Sequence, residues 1–68
     1  MEKIEITTEY IKLEQLLKLA GEADSGANAK AVILEGLVRV NGKVELQRGK
    51  KLRKGDIIEF NGNKFQIE

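Results

Sequence analysis

From Leu13 onward the hydrophobic period of this chain changes once, at Gly36, and that change limits what it can fold into. Before it, Leu13, Leu16, Leu17 and Ala20 recur at the i, i+3, i+4, i+7 spacing of one helical face. Ala29, Val32 and Ile33 form a second, shorter apolar stripe. After Gly36 the period drops to two: Val38 and Val40 flank Arg39, Asn41-Gly42 marks a tight turn, and Val44 and Leu46 follow. Helical spacing cannot line one face of a sheet, and alternation cannot line one face of a helix. Over this part of the chain, helices must therefore come first and short strands second.

The boundaries follow from local chemistry. Lys3 to Thr7 carries Ile4 and Ile6 in alternation and reads as a strand, and Thr7 and Thr8 offer hydroxyls to cap the helix after it. Glu14 and Lys18 stand four apart on that helix and can pair weakly. Gly21 is a stop signal, and Ser25 is placed to cap a second helix from about Ala27 to Glu35, ended by Gly36 in a left-handed conformation.

Side-chain parity constrains the Asn41-Gly42 turn. A strict two-residue loop sets Val40 opposite Lys43 and Arg39 opposite Val44, whereas a bulged loop gathers Val38, Val40, Val44 and Leu46 on one face. The bulged form is the expectation. Gln47 to Lys51 reads as an irregular basic link and Leu52 as the start of another strand, broken by the Lys54-Gly55-Asp56 turn. A last hairpin folds around Asn61-Gly62-Asn63, with Ile58, Phe60, Phe65 and Ile67 expected inside. The class is α+β: two short packed helices followed by a small curled antiparallel sheet, with an added N-terminal strand. No proline, repeat or low-complexity tract divides residues 1–68, which read as a single domain.

Composition narrows the chemistry. With 68 residues and neither cysteine nor histidine, the chain has no disulfide, no thiolate zinc site and no histidine base. Asp24 beside Ser25 has no third residue to form a triad, and no carboxylates cluster for a metal, so no catalytic role, metal or cofactor is expected. No apolar run approaches the roughly 20 residues of a membrane span, and the alternating N-terminus is unlike a signal peptide. A cytoplasmic location is the expectation. The charge, by contrast, is segregated. Residues 29–55 hold eight of the twelve Lys and Arg but two acids, a net +6 within a total of +1. Such a field attracts polyanions, of which nucleic acid is the commonest.

The middle of the chain resembles the S-four RNA-binding domain, named after small-subunit ribosomal protein four and also called the alpha-L motif. The resemblance rests on Lys12-Leu13-Glu14 opening helix one and on Ser25 followed by Ala29 at the head of helix two. It rests most on Gly36-Leu37-Val38-Arg39-Val40-Asn41-Gly42-Lys43, which matches the family's Gly-x-Val-x-Val-Asn-Gly-Lys pattern, and on Gly55-Asp56-Ile57-Ile58. It is closest to small stand-alone bacterial members, which carry a run like Arg48 to Leu52. Many members have arginine after the helix-two serine; here Gly26 stands there. The resemblance implies non-enzymatic binding of structured RNA, with ribosomal RNA or a ribosomal subunit as partner and no membrane.

The candidate contacts are Lys18, Ser25, Gly26, Lys30, Arg39, Asn41, Lys43, Arg48, Lys50, Lys51, Arg53 and Lys54. Free amides at the helix-two amino end can hold a phosphate, flanked by Lys30. Arg39 can fork onto a phosphate or pair across the hairpin with Glu45. Asn41 is first a turn residue. Arg48, Lys50, Lys51, Arg53 and Lys54 are five cations within seven residues and without an acid. Phe60 and Phe65 read as buried and only Tyr10 as exposable, which suits phosphate-lined folded RNA better than unstacked bases. Two other classes fit the same residues: a protein-interaction module docking an acidic partner, and the RNA-binding subunit of a separate RNA-modifying enzyme.

Overall fold

The polarity of the chain sorts into strands β1 (Glu2–Ile4), β2 (Ile11–Lys12), β3 (Arg39–Val40), β4 (Lys43–Val44), β5 (Lys51–Leu52), β6 (Ile57–Phe60) and β7 (Asn63–Ile67) around helices α1 (Leu13–Leu19) and α2 (Gly26–Leu34). This is a computed structural model that describes all 68 residues. One sheet runs in the order β1-β7-β6-β3-β4, and β2 pairs with β5 in a second, two-stranded ribbon. The β7-β6-β3-β4 part is antiparallel, as expected, and the added strand β1 lies parallel to β7, making the sheet mixed.

The core is a single cluster of 14 apolar residues, so each one carries a sizeable share of the stability. Leu13, Leu16 and Leu17 of α1 are fully buried together with Ala29 and Ile33 of α2, and Val38, Leu52, Ile58, Phe65 and Ile67 close the layer below. Completely burying one such aliphatic side chain contributes about 1.5–3 kcal/mol. Both helices end as their glycines dictate. Gly21 and Gly36 take φ of 78° and 77°, a left-handed turn in which a side chain is strained.

Several expectations need correction. The first strand stops at Ile4, although Ile6 stays buried and its N–H still reaches Glu68 O at 3.0 Å. Thr7 and Thr8 do not cap α1; Thr8 Oγ1 donates to Tyr10 O at 2.8 Å in a preceding turn. The cap position falls on Lys12, because Ile11 and Lys12 are drawn into pairing with Leu52 and Lys51. No ion pair joins Glu14 to Lys18.

The hairpin expectation is overturned outright. Arg39 stands opposite Val44 and Val40 opposite Lys43, so Asn41-Gly42 is a strict two-residue loop, with φ of 52° and 85° at its two positions. Positive φ at both positions twists the strands correctly without a bulge. The core needs only Val38 and Val40 from this hairpin, and Val44 and Leu46 remain half exposed on the outer edge. Phe60 is only partly buried, packed at the margin of the core.

Candidate nucleic-acid interface

Helix α1 is too short to supply its own end groups, and the basic link supplies them. Leu13 N–H donates to Lys50 O at 2.9 Å and Glu14 N–H to Arg48 O at 3.1 Å. The Gln15 side-chain carbonyl accepts from Lys12 N–H at 3.2 Å. These bonds satisfy donors that every helix leaves open at its start. They also bind the 48–50 backbone to the fold, so its side chains are what remains for a partner. The β2–β5 ribbon then sets Lys12 beside Lys51.

Tyr10 sits at the centre of this group. Lys51 Nζ lies 4.9 Å and Arg53 Cζ 5.7 Å from its ring centroid, within the range where a cation is attracted by an aromatic face. Arg53 also meets Glu9 at 3.8 Å, an exposed pair of small energetic weight. The other ion pair in the molecule, Lys3–Glu68 at 3.8 Å, joins the two ends of the chain. Ten of the twelve cations therefore have no carboxylate within 4.0 Å. Lys12, Arg48, Lys50, Lys51 and Lys54 are all exposed and all among those ten.

The remaining candidates sit elsewhere. Ser25 caps α2, its hydroxyl accepting from Asn28 N–H at 3.1 Å, while the N–H groups of Gly26 and Ala27 have no protein partner. Lys30 is exposed one turn on. The chain arrives at Ser25 from the carboxyl end of α1, where Glu22 and Ala23 N–H bond Leu17 O. The basic link grips the other end, about 10 Å away along seven residues of helix. No hydrogen bond or ion pair joins the two groups. Lys18 lies in the last turn of α1, nearer the Ser25 side.

Arg39 and Lys43 are exposed on opposite faces of their hairpin, because Arg39 shares a face with Val44, and Lys43 with Val40. Arg39 also faces Glu59 across β6, not Glu45. Asn41 has both polar atoms engaged: Nδ2 donates to Asp56 Oδ1 at 3.1 Å, and Oδ1 accepts from Ile57 N–H at 2.9 Å. Asp56 in turn accepts from Arg53 N–H at 2.8 Å. The Val-Asn-Gly and Gly-Asp segments of the sequence are thus one locked unit.

Sequence reading missed the β2–β5 ribbon, the tyrosine platform and this lock. Two-residue strands carry no periodicity, and a contact between positions 15 apart leaves no local trace. The presence of both motifs in one chain was the only signal available.

Two helices on a small mixed sheet, with an unneutralised basic link closing the first helix, define a module of the alpha-L type. The chain belongs to the S4 domain family, whose model it matches over residues 4–68. It is 41% identical over 58 residues to YbcJ of Escherichia coli, covering 85% of this chain and 83% of that one. The solution structure of YbcJ, described as revealing an alpha-L motif involved in RNA binding, superposes with a TM-score of 0.74 at 37% identity, over 98% of this chain and 86% of that one. The Probable ribosome maturation protein RlbA of Bacillus subtilis is 45% identical over 65 residues, 94% of this chain and 92% of that one. The 30S ribosomal protein S4e from Thermoplasma acidophilum matches with a TM-score of 0.66 at 25% identity, over 88% of this chain and 32% of that one.

Proposed function

We propose that this protein is a non-enzymatic binder of structured RNA, with ribosomal RNA or a ribosomal particle in the cytoplasm as its partner. The observation that carries the reading is the unpaired cation group at the amino end of α1, held by backbone bonds on a rigid fold. Such a face docks on phosphates by releasing counterions, and it needs no induced ordering to do so. Kinship with an RNA-binding protein and with ribosome-related proteins supports the same direction. Selectivity then comes from the spacing of phosphates in a folded RNA, not from a base code. In this reading Ser25, Gly26 and Lys30 hold a second stretch of the same backbone, and Arg39, Lys43 and Lys18 extend the contact. Asn41 first positions the loop, and any contact of its remaining amide N–H with RNA is secondary.

The test is a salt series with a folded RNA hairpin. Log K falls steeply with log salt, and Lys50→Ala combined with Lys51→Ala flattens the slope by about two units. A slope near zero in the wild type, or a wild-type slope in the double mutant, refutes the reading. Crosslinking in cells followed by sequencing of bound RNA identifies the partner, with enrichment of ribosomal RNA as the expected result. A complex that survives nuclease treatment of a lysate points instead to an acidic protein.

A further inference from the structure

The tyrosine platform is more than an electrostatic face requires. Phosphates need cations, yet this group is built around an aromatic ring, and the ring borders a shallow depression of about 590 Å³. Its apolar wall is Tyr10, Ile11 and Leu19, and Leu19 is left 60% exposed there. Thr8, Glu9, Lys12 and Gln15 complete the rim. Lys51 and Arg53 touch the ring but do not line the depression, so they stand beside it rather than in it.

We infer that this depression receives one unpaired nucleobase of the bound RNA, stacked on Tyr10 while the flanking phosphates lie on Lys12, Lys51 and Arg53. Cations against the ring withdraw electron density from it and strengthen its stacking on an electron-rich purine. Gln15 has spent its carbonyl on Lys12 N–H, which leaves its amide N–H groups to donate to a base edge. The charge fits too: a base is neutral and enters the apolar part, while its anionic backbone follows the cationic rim. The inference rests on the RNA-binding reading and adds to it a preference for helices interrupted by an unpaired nucleotide.

Tyr10 is the single tyrosine in a chain without tryptophan, so its fluorescence reports on this site alone. The probes are a blunt RNA duplex and the same duplex carrying one bulged adenosine. The bulged RNA is expected to bind roughly five- to a hundredfold more tightly, the usual range for one base on an aromatic side chain, and to quench the tyrosine. Tyr10→Phe keeps the preference, and Tyr10→Ala abolishes it while both RNAs retain salt-dependent binding. Equal affinities with no quenching overturn the base site and leave phosphate docking intact. Failure of both RNAs to bind overturns the RNA reading itself.

Discussion

Replacing Asn41 separates scaffold from interface. Its side chain makes two hydrogen bonds at the surface, to Asp56 and to Ile57 N–H. Net values of about 0.5–1.5 kcal/mol each place their joint loss near 1–3 kcal/mol. Asn41 also sits at φ 52°, where alanine is strained by roughly 1–2 kcal/mol and asparagine is tolerated. Asn41→Ala is therefore expected to cost about 2–5 kcal/mol, a drop in Tm on the order of 10–40 °C for a domain of this size. Asn41→Gly recovers the backbone term but not the bonds and falls between the two. Asn41→Asp keeps the acceptor for Ile57 N–H while setting a second carboxylate beside Asp56.

Urea melts followed by far-UV circular dichroism give the ranking. Below the melting range, folded Asn41→Gly should bind RNA with an unchanged salt slope, because the native side chain is neutral and releases no counterion. A loss under about 0.5 kcal/mol in Asn41→Ala refutes the lock, since surface substitutions without a structural role fall in that range. A weakened slope in folded Asn41→Gly refutes its assignment to the scaffold.

Two further substitutions probe the charge. Glu9→Gln removes the one carboxylate paired with the basic group, and both side chains are exposed, so stability should move by less than about 0.5 kcal/mol. RNA binding should tighten and its salt slope steepen by up to about one unit; weaker binding counts against Arg53 as a contact. Gly26→Arg restores the arginine common in the family at a position where a Cβ meets nothing within 4 Å. The gain in helix propensity, about 0.5–1 kcal/mol, and the cost of a cation at a helix amino end, about 0.3–1 kcal/mol, nearly cancel. The slope should steepen by about one unit, and an unchanged slope confines the interface to the α1 side.

The elements legible in sequence were those with several turns or several alternations. Leu13, Leu16 and Leu17 announce α1, Ile58, Phe65 and Ile67 announce the last hairpin, and Ser25 and Gly36 bracket α2 to within one residue. The Asn41 turn was legible as a turn but not in its register. Alternation treats Val44 and Leu46 as core residues, and only tertiary structure shows that the core closes over Val38 and Val40 without them. The start of α1 was misplaced for a related reason: a threonine cap is a local preference, and pairing of Ile11 with Leu52 across 41 positions overrides it. Of the site, the cations were visible as composition, but their arrangement was not. The fold holds the Arg48 and Lys50 carbonyls at the amino end of α1 and brings the chain to Ser25 from its carboxyl end.

That division says how the interface can work. The irregular link reads as a loop because it has no periodicity, yet its carbonyls cap the first helix and belong to the fold as fully as those of any strand. A segment whose main chain is used for structure and whose side chains are unpaired can change its cations without losing its shape. The amino end of α2 has a different character, since its free N–H groups belong to the backbone and stand beside a single cation, Lys30. In the proposed reading, one end of the helix pair contributes charge that salt screens, and the other contributes oriented amides that act only at contact range. RNA that engages both should lose affinity with salt in proportion to the lysines and arginines alone, and should keep a weak, salt-insensitive remainder when those are removed.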